Sequence, residues 1–386
     1  MVLEFSNVKV IHIVILLRDC KKKQNVVNVL VETEVPEDSE WFPDKNKSLK
    51  RSVPLLILGL LIFIGYLYFF VDIPEMLSAI QQIDGFYYSL AIIVLFLNML
   101  AYSAVWQYLL RPLSIKVSFM KTMLITWVGA FVEFFVPSEA IGEDVSKSYF
   151  MIKESGENTG KVVASVLGQR IISMLVTLII LIGCAFSLFG LQLEIPVTVS
   201  FLIIIISVGT AIPLLFLILL CKKERLSNRI IDLLIRFAVF ISRGRLNIDN
   251  LRLKARNSLD SFHLSISILG QNPKSLVQPM FFALSSYFLS VLVSYFVFVS
   301  LGYIVSFVML TIVYSISRSL QSIPTMLPGE VGFVEIVMTS LYIALLGPEA
   351  AAVSAAATVL TRVLWILFRL PLGFIALQWI LRRGLL

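Results

Sequence analysis

Long, unbroken apolar runs dominate the chain. They occupy about 53–71, 87–110, 162–189, 197–221, 276–301 and 351–380, separated by shorter segments that hold most of the charge. A helix rises about 1.5 Å per residue, so about 20 apolar residues cross a hydrocarbon core roughly 30 Å thick. Lipid offers the backbone no hydrogen-bond partners, and a helix satisfies its own backbone within the segment. The pattern predicts an all-α polytopic membrane protein with six spanning helices. Two further apolar stretches, 117–136 and 306–346, do not fit a simple crossing once the charges around them are considered.

All but four of the 32 Lys and Arg residues fall in 1–52, 111–121, 138–161, 222–275 and 382–383. The links 72–86, 190–196, 302–305 and 347–350 hold none, and carry Asp72, Glu75, Asp84, Glu194 and Glu349 instead. Basic loops stay on the cytoplasmic side of a cell membrane, which puts both termini there and the acidic links outside. The segments flanking 117–136 then share a side, so this stretch enters and returns as a re-entrant helical hairpin. By the same logic 306–346 enters and returns from the outside. A simple crossing at 117–136 is the alternative, and it breaks the charge rule. Residues 1–52 read as a cytosolic N-terminal extension ahead of a transmembrane domain over 53–386. Within that domain 222–275 reads as a cytosolic linker, whose amphipathic piece 230–241 suits either an anionic membrane surface or a solvated connector.

The two unusual regions share a pattern. Val117-Ser118-Phe119 recurs as Val305-Ser306-Phe307, and Pro137-Ser138-Glu139-Ala140-Ile141-Gly142 is answered by Pro328-Gly329-Glu330-Val331-Gly332. Ala164-Ser165-Val166-Leu167 returns as Ala357-Thr358-Val359-Leu360, and Arg170 and Arg362 follow the two motif prolines by 33 and 34 residues. The segments 117–189 and 305–380 are therefore repeat-like. The charge assignment gives them opposite orientation, an inverted repeat of the kind that builds a site between its two copies. Pro137, Gly142, Pro328, Gly329 and Gly332 are the expected re-entrant turns, because Pro stops a helix and Gly permits the reversal. Irregular backbone at membrane depth is tolerated only inside protein or against a watery cavity, so the tips are expected to line one.

Four basic residues, Arg170, Arg318, Arg362 and Arg369, fall within apolar stretches. An Arg at bilayer depth costs about 2.5–3.5 kcal/mol on insertion scales, so it pairs, snorkels or lines a cavity. Arg369 is near enough to the inner face to snorkel. Arg170, Arg318 and Arg362 are the substrate-binding candidates, since a planar guanidinium grips phosphate at two points. Glu139, Glu330 and Glu335, with Glu133, either join that site or neutralise the arginines in structural ion pairs. Glu143 and Asp144, an adjacent acidic pair, suggest an acid, base or metal-binding role under an enzymatic reading.

Composition narrows the field further. Hydrophobic residues make up 58% of the chain and charged ones 15%, and the mean hydropathy is +0.91, which excludes an ordinary soluble globular domain. The net charge of +7 resides in the loops, where topology accounts for it, so no nucleic-acid partner is expected. Cys20, Cys184 and Cys221 are scattered, and His12 and His263 have no ligand-like neighbours in sequence, so no metal or cofactor is expected. No nucleotide-binding P-loop pattern occurs.

The stretch P-S-E-A-I-G-E-D at 137–144 followed by A-S-V-L-G-Q-R at 164–170, and P-G-E-V-G-F-V-E at 328–335 followed by A-T-V-L-T-R at 357–362, resemble a known family. They look like the flippase-like transmembrane region of lysylphosphatidylglycerol synthetases and their stand-alone archaeal and bacterial relatives, over about 53–383. The first motif departs from the usual Gly after Pro by having Ser138. The resemblance implies translocation of a phospholipid or lipid-linked anion, with polyprenyl-phosphate lipids among the candidates. The synthetase activity resides in a separate cytosolic domain for which this chain offers no segment after its last span, so it is not carried over. The expectation is thus a lipid flippase and not an enzyme, with membrane lipids as partners and a homo-oligomer compatible with the sequence. A membrane enzyme or accessory subunit in polyprenyl-phosphate or glycolipid metabolism is the alternative.

Overall fold

A computed structural model describes residues 64–65, 68–69, 72–135, 139–190, 197–241, 248–321 and 328–382. The extension 1–52 and nearly all of the first expected span, 53–71, lie outside the described residues. Among the described residues the fold is 90% helical, with twelve helices and no strands. They are α1 (Ile73–Gln81), α2 (Gly85–Leu110), α3 (Phe119–Phe135), α4 (Glu139–Ser155), α5 (Thr159–Gly190), α6 (Val197–Lys222), α7 (Glu224–Ile241), α8 (Ile248–Gln271), α9 (Val277–Ser300), α10 (Phe307–Leu320), α11 (Phe333–Leu346) and α12 (Ala351–Arg382).

Five segments are long and apolar enough to cross a membrane: Gly85–Leu110, Thr159–Phe186, Val199–Lys222, Pro273–Ser300 and Pro348–Ile380. They coincide with the last five of the six expected spans. Large apolar side chains on their outer faces, such as Ile204, Ile205 and Ile212 of α6 and Phe281 of α9, are exposed, as a lipid solvent requires. Local chemistry marks the helix starts. Asp72 and Asp84 accept from the backbone N–H groups of Glu75 (3.1 Å) and Phe86 (2.8 Å), capping α1 and α2.

The central contact is between α2 and α9. There the buried Asn98 donates to the Ser286 carbonyl (2.5 Å) and the Ser290 hydroxyl (2.7 Å), polar glue of about 0.6 kcal/mol per bond on average between membrane helices. Each of these helices is followed by a helical hairpin, and each hairpin by a helix of 32 residues, α5 or α12. The arms of the first hairpin, α3 and α4, have 17 residues each, and those of the second, α10 and α11, have 14. At about 1.5 Å per residue none of these arms reaches across a core of roughly 30 Å. Counting α5, α6 and α9 as crossings puts the mouths of the two hairpins on opposite faces of the bundle.

The structure differs from the sequence reading at two links. Residues 138–161, expected as a polar cytosolic loop, contain α4, which folds back along α3 and buries Glu143 and Lys147. The reason is that the charges of this segment pair with one another and with α5 instead of with water. The second link, 222–275, is mostly helix, and α8 docks Leu259 and Phe262 against Ala164 and Cys221. That docking needs Gly160, because a Cβ there would stand 1.7 Å from the Ser258 carbonyl oxygen.

The tips of the hairpins meet. Gly329 lies in the left-handed region at φ 59°, and a Cβ on it would stand 2.6 Å from the Phe134 ring. Glu330 (φ 50°) and Gly332 (φ 90°) continue the reversal, so the chain turns here on its glycines. Residues 136–138, between α3 and α4, lie outside the described residues, and Pro137 with them. Gly142, expected in that turn, sits instead in the first turn of α4, because the helix resumes at Glu139.

Candidate functional site

Between the ends of the hairpins, α2, α5 and α6 lies a small, open-sided cavity of about 70 Å³. Its walls come from five described helices and the end of a sixth: Tyr102 of α2, Glu133 of α3, Glu143, Asp144 and Lys147 of α4, Gln169 and Arg170 of α5, Thr210 of α6, and Arg318, Ser319 and Gln321 at the end of α10. Glu133 and Gln321 stand beside the two tips, and Thr210 sits midway along its 26-residue helix, so the cavity is at the middle depth of the bundle.

The first hairpin supplies its most buried charge. On α4, Glu143, Asp144 and Lys147 fall at i, i+1 and i+4, which puts them on one face. Lys147 is 1% exposed. It donates to Glu143 (3.1 Å) and Gln169 (2.6 Å), and its ammonium lies 5.0 Å from the Trp106 ring centroid and 5.3 Å from that of Tyr102. Tyr102 donates to the same Glu143 oxygen (3.1 Å), and Gln169 donates to the Tyr102 carbonyl (3.1 Å). Gly129 on α3 makes room, since a Cβ there would stand 2.8 Å from Lys147 Cγ. Glu143, Lys147 and Asp144 each have a partner of opposite sign, the condition for a charge to persist away from water.

Arg170 donates to Asp144 at 2.5 Å, and these side chains keep 25% and 24% of their surface, so this is the pair an entering molecule reaches. Arg318 lines the cavity opposite, with Gln321 at 3.4 Å. Ser319 Oγ is buried in the same wall with no hydrogen-bond partner. The arrangement presents the guanidinium groups of Arg170 and Arg318 to the space between them, which suits the oxygens of a phosphate. Among the described residues, no group of three or more His, Cys, Asp and Glu is placed to hold a metal ion.

A second charged cluster stands apart. Arg362 donates through Nε to Glu335 (2.7 Å) and through Nη2 to the Gly329 carbonyl (2.8 Å), while the other Glu335 oxygen accepts from the Gly332 N–H (2.8 Å). Both side chains are nearly enclosed, and neither lines the cavity. This pair ties α12 to the second tip. Glu330, in the same tip, is 1% exposed.

The sequence candidates are thus divided. Arg170 and Arg318 come together in the cavity; Arg362, Glu330 and Glu335 belong to the second tip, and the side chain of Glu139 lies outside the described residues. Arg170 pairs with Asp144, the acidic residue that the sequence offered for an enzymatic role. Arg369, expected to snorkel, instead reaches inward to Glu133 at 3.3 Å and lies over the Trp365 ring. Lys147, Tyr102 and Gln169 went unrecognised as site residues. The available signal was the helical spacing of Glu143, Asp144 and Lys147, which a loop assignment had hidden.

Five apolar spans around two opposed hairpins, with a charged cavity where their tips meet, define a polytopic membrane protein of the inverted-hairpin kind. Residues 56–373 match the family described as the lysylphosphatidylglycerol synthase TM region, and the chain belongs to that family. A UPF0104 membrane protein of Pyrococcus horikoshii is 25% identical over 320 residues, covering 81% of this chain and 92% of that one. A second from Methanocaldococcus jannaschii is 23% identical over 334 residues, covering 85% and 95%. A third, from Methanothermobacter thermautotrophicus, is 22% identical over 321 residues, covering 82% and 92%. No solved structure matches the chain.

Proposed function

We propose that this protein is a lipid flippase, which passes the phosphate-bearing headgroup of a phospholipid or lipid-linked anion through the cavity while the acyl or prenyl tails stay in the bilayer. The observation that carries the reading is the placement of Arg170 and Arg318 around one mid-depth cavity. An apolar solute would find no use for that wall. Arg170 and Arg318 meet the phosphate oxygens; Asp144 releases Arg170 as the headgroup enters; Lys147 and Glu143 hold the wall in shape. Arg362 and Glu335 act on the second tip and not on the substrate. The chain acts in a cell membrane with its basic loops and both termini in the cytoplasm.

The test is a dithionite-bleaching assay in proteoliposomes, with fluorescent phosphatidylglycerol, phosphatidylethanolamine and a fluorescent polyprenyl phosphate. Wild-type protein is expected to expose inner-leaflet probe of at least one of these, and the Arg170→Ala/Arg318→Ala variant to slow exposure at least tenfold with unchanged melting temperature. Wild-type protein that moves none of them removes the flippase reading and favours an enzymatic role for Glu143 and Asp144.

A further inference from the structure

We infer that the outer face of α7 is a docking surface for anionic phospholipid headgroups at the end of α6, gripped by Arg225, Arg229 and Arg236 with Lys222 and Lys223 at the junction. This surface lies outside the cavity and stands whether or not the protein moves lipid.

Charge is concentrated here. The segment 222–275 holds 11 Lys and Arg against four Asp and Glu, so its net charge equals the +7 of the whole chain. On α7, Arg225, Arg229 and Arg236 fall at i, i+4 and i+11, which puts them on one stripe of the helix. All three are exposed, as are Lys222 and Lys223. Leu233, 66% exposed, lies at the edge of the stripe. Elsewhere on the surface Lys121, Lys161 and Arg252 are matched by Glu154, Glu157 and Asp232. None of the five cations of this surface has an ion pair among the described residues.

The backbone holds the stripe at the depth where α6 ends. The helix breaks at Lys223, and the Ser227 hydroxyl donates back to the Leu220 carbonyl at 2.7 Å. In one continuous helix those two residues would stand about 10 Å apart along the axis, so the first turn of α7 folds back on the last turn of α6. Further along, Ile231 packs on the cluster that contains Cys221. Ser227 and Ile231 occupy the side of α7 away from the three arginines. The arginines therefore point away from the bundle without leaving the level of its edge.

What lies at that level follows from α6 itself. Leu215 and Phe216, near its end, are exposed large apolar side chains that only lipid can cover in a membrane, so the next layer is made of headgroups. A zwitterionic layer brings a cation with every phosphate and leaves the five positive charges unneutralised. An anionic layer supplies phosphate with net charge, which guanidinium groups grip at two points and to which basic residues beside a span are drawn. Leu233 fits the acyl boundary just beneath, as the apolar residues of interfacial helices do.

The test is amide hydrogen exchange of α7 in the full-length protein, in nanodiscs of phosphatidylcholine alone or with phosphatidylglycerol mixed in. Exchange over 224–236 is expected to slow at least fivefold in the mixed discs, and high salt to cancel most of that difference by screening. The Arg225→Gln/Arg229→Gln/Arg236→Gln variant is expected to lose the difference while exchange in α2 and α9 stays as in wild type. Arg170→Ala/Arg318→Ala is expected to keep it, which separates this surface from the cavity. Equal exchange in the two discs, a difference that salt leaves intact, or one that the triple Gln variant preserves overturns the assignment. Protection by soluble polyglutamate in phosphatidylcholine discs, with no response to phosphatidylglycerol, also overturns it and gives the face to an acidic protein.

Discussion

The two hairpins repeat one plan with different materials. The first has arms of 17 residues and carries its charge along the inner face of α4, where Glu143, Asp144 and Lys147 become cavity wall. The second has arms of 14 residues, keeps its arms free of acidic and basic side chains apart from Arg318 and Glu335, and places both of these near the turn. The first is a wall that contains polar groups, and the second is a turn tied to α12 by Arg362. A repeated element in a membrane can thus place its charges differently: one copy lines the cavity with them, and the other spends them on its own turn.

The largest expected effect falls on the first hairpin. Lys147→Met leaves Glu143 buried without its counter-charge, and removing one partner of a buried pair costs about 3–5 kcal/mol. Chemical unfolding in mixed micelles is expected to show that loss, and the Lys147→Met/Glu143→Gln variant to regain more than half of it. If the double variant is no more stable than the single, the pair is not what holds this wall.

Next comes the second tip. Gly329→Ala puts a side chain on a backbone at φ 59° and into the Phe134 ring, and the two penalties together are about 2–5 kcal/mol, the lower end being expected because an aromatic ring can give way. Adding Phe134→Leu is expected to recover the steric part and leave the backbone part, so the melting temperature should return only partway. Full recovery would mean that the left-handed turn costs nothing.

How far the sequence anticipated this division follows from what each hairpin is made of. The second was visible as 306–346 because its arms are apolar and its tip is Pro-Gly-Glu-Val-Gly, a pattern that names its own turn. The first was half hidden. A segment with Glu139, Glu143, Asp144, Lys147, Lys153 and Glu154 reads as a loop on charge alone, and only the fold reveals that two of those charges are nearly enclosed. The five spans were legible from length and apolar content. Which arginines share a cavity was not, since Arg318 and Arg170 are 148 positions apart and meet only through the packing of α10 against α5. Arg369 misled for a similar reason: its distance from the end of α12 allowed snorkelling, and nothing local to it disclosed Glu133 on α3.

A smaller effect separates the cavity from both hairpins as scaffolds. The Arg170–Asp144 pair keeps about a quarter of its surface and opens on the cavity, so water can reach the carboxylate left behind and its loss costs less than that of the enclosed Lys147–Glu143 pair, about 1 kcal/mol. Arg170→Ala is therefore expected to change unfolding free energy by about 1 kcal/mol while slowing lipid movement several-fold. A variant that loses stability and keeps transport would reverse the roles assigned to Arg170 and Lys147.

The central claim is that a lipid headgroup enters the cavity between the tips, and photo-crosslinking tests it most directly. The protein is reconstituted with a phospholipid carrying a diazirine in its headgroup, irradiated, and the adducts are mapped by mass spectrometry. Adducts on the cavity stretches of α5 and α10, around Gln169–Thr177 and Arg318–Gln321, that disappear in the Arg170→Ala/Arg318→Ala variant are the predicted result. Adducts confined to the outer faces of α6 and α9, unchanged in that variant, would contradict it.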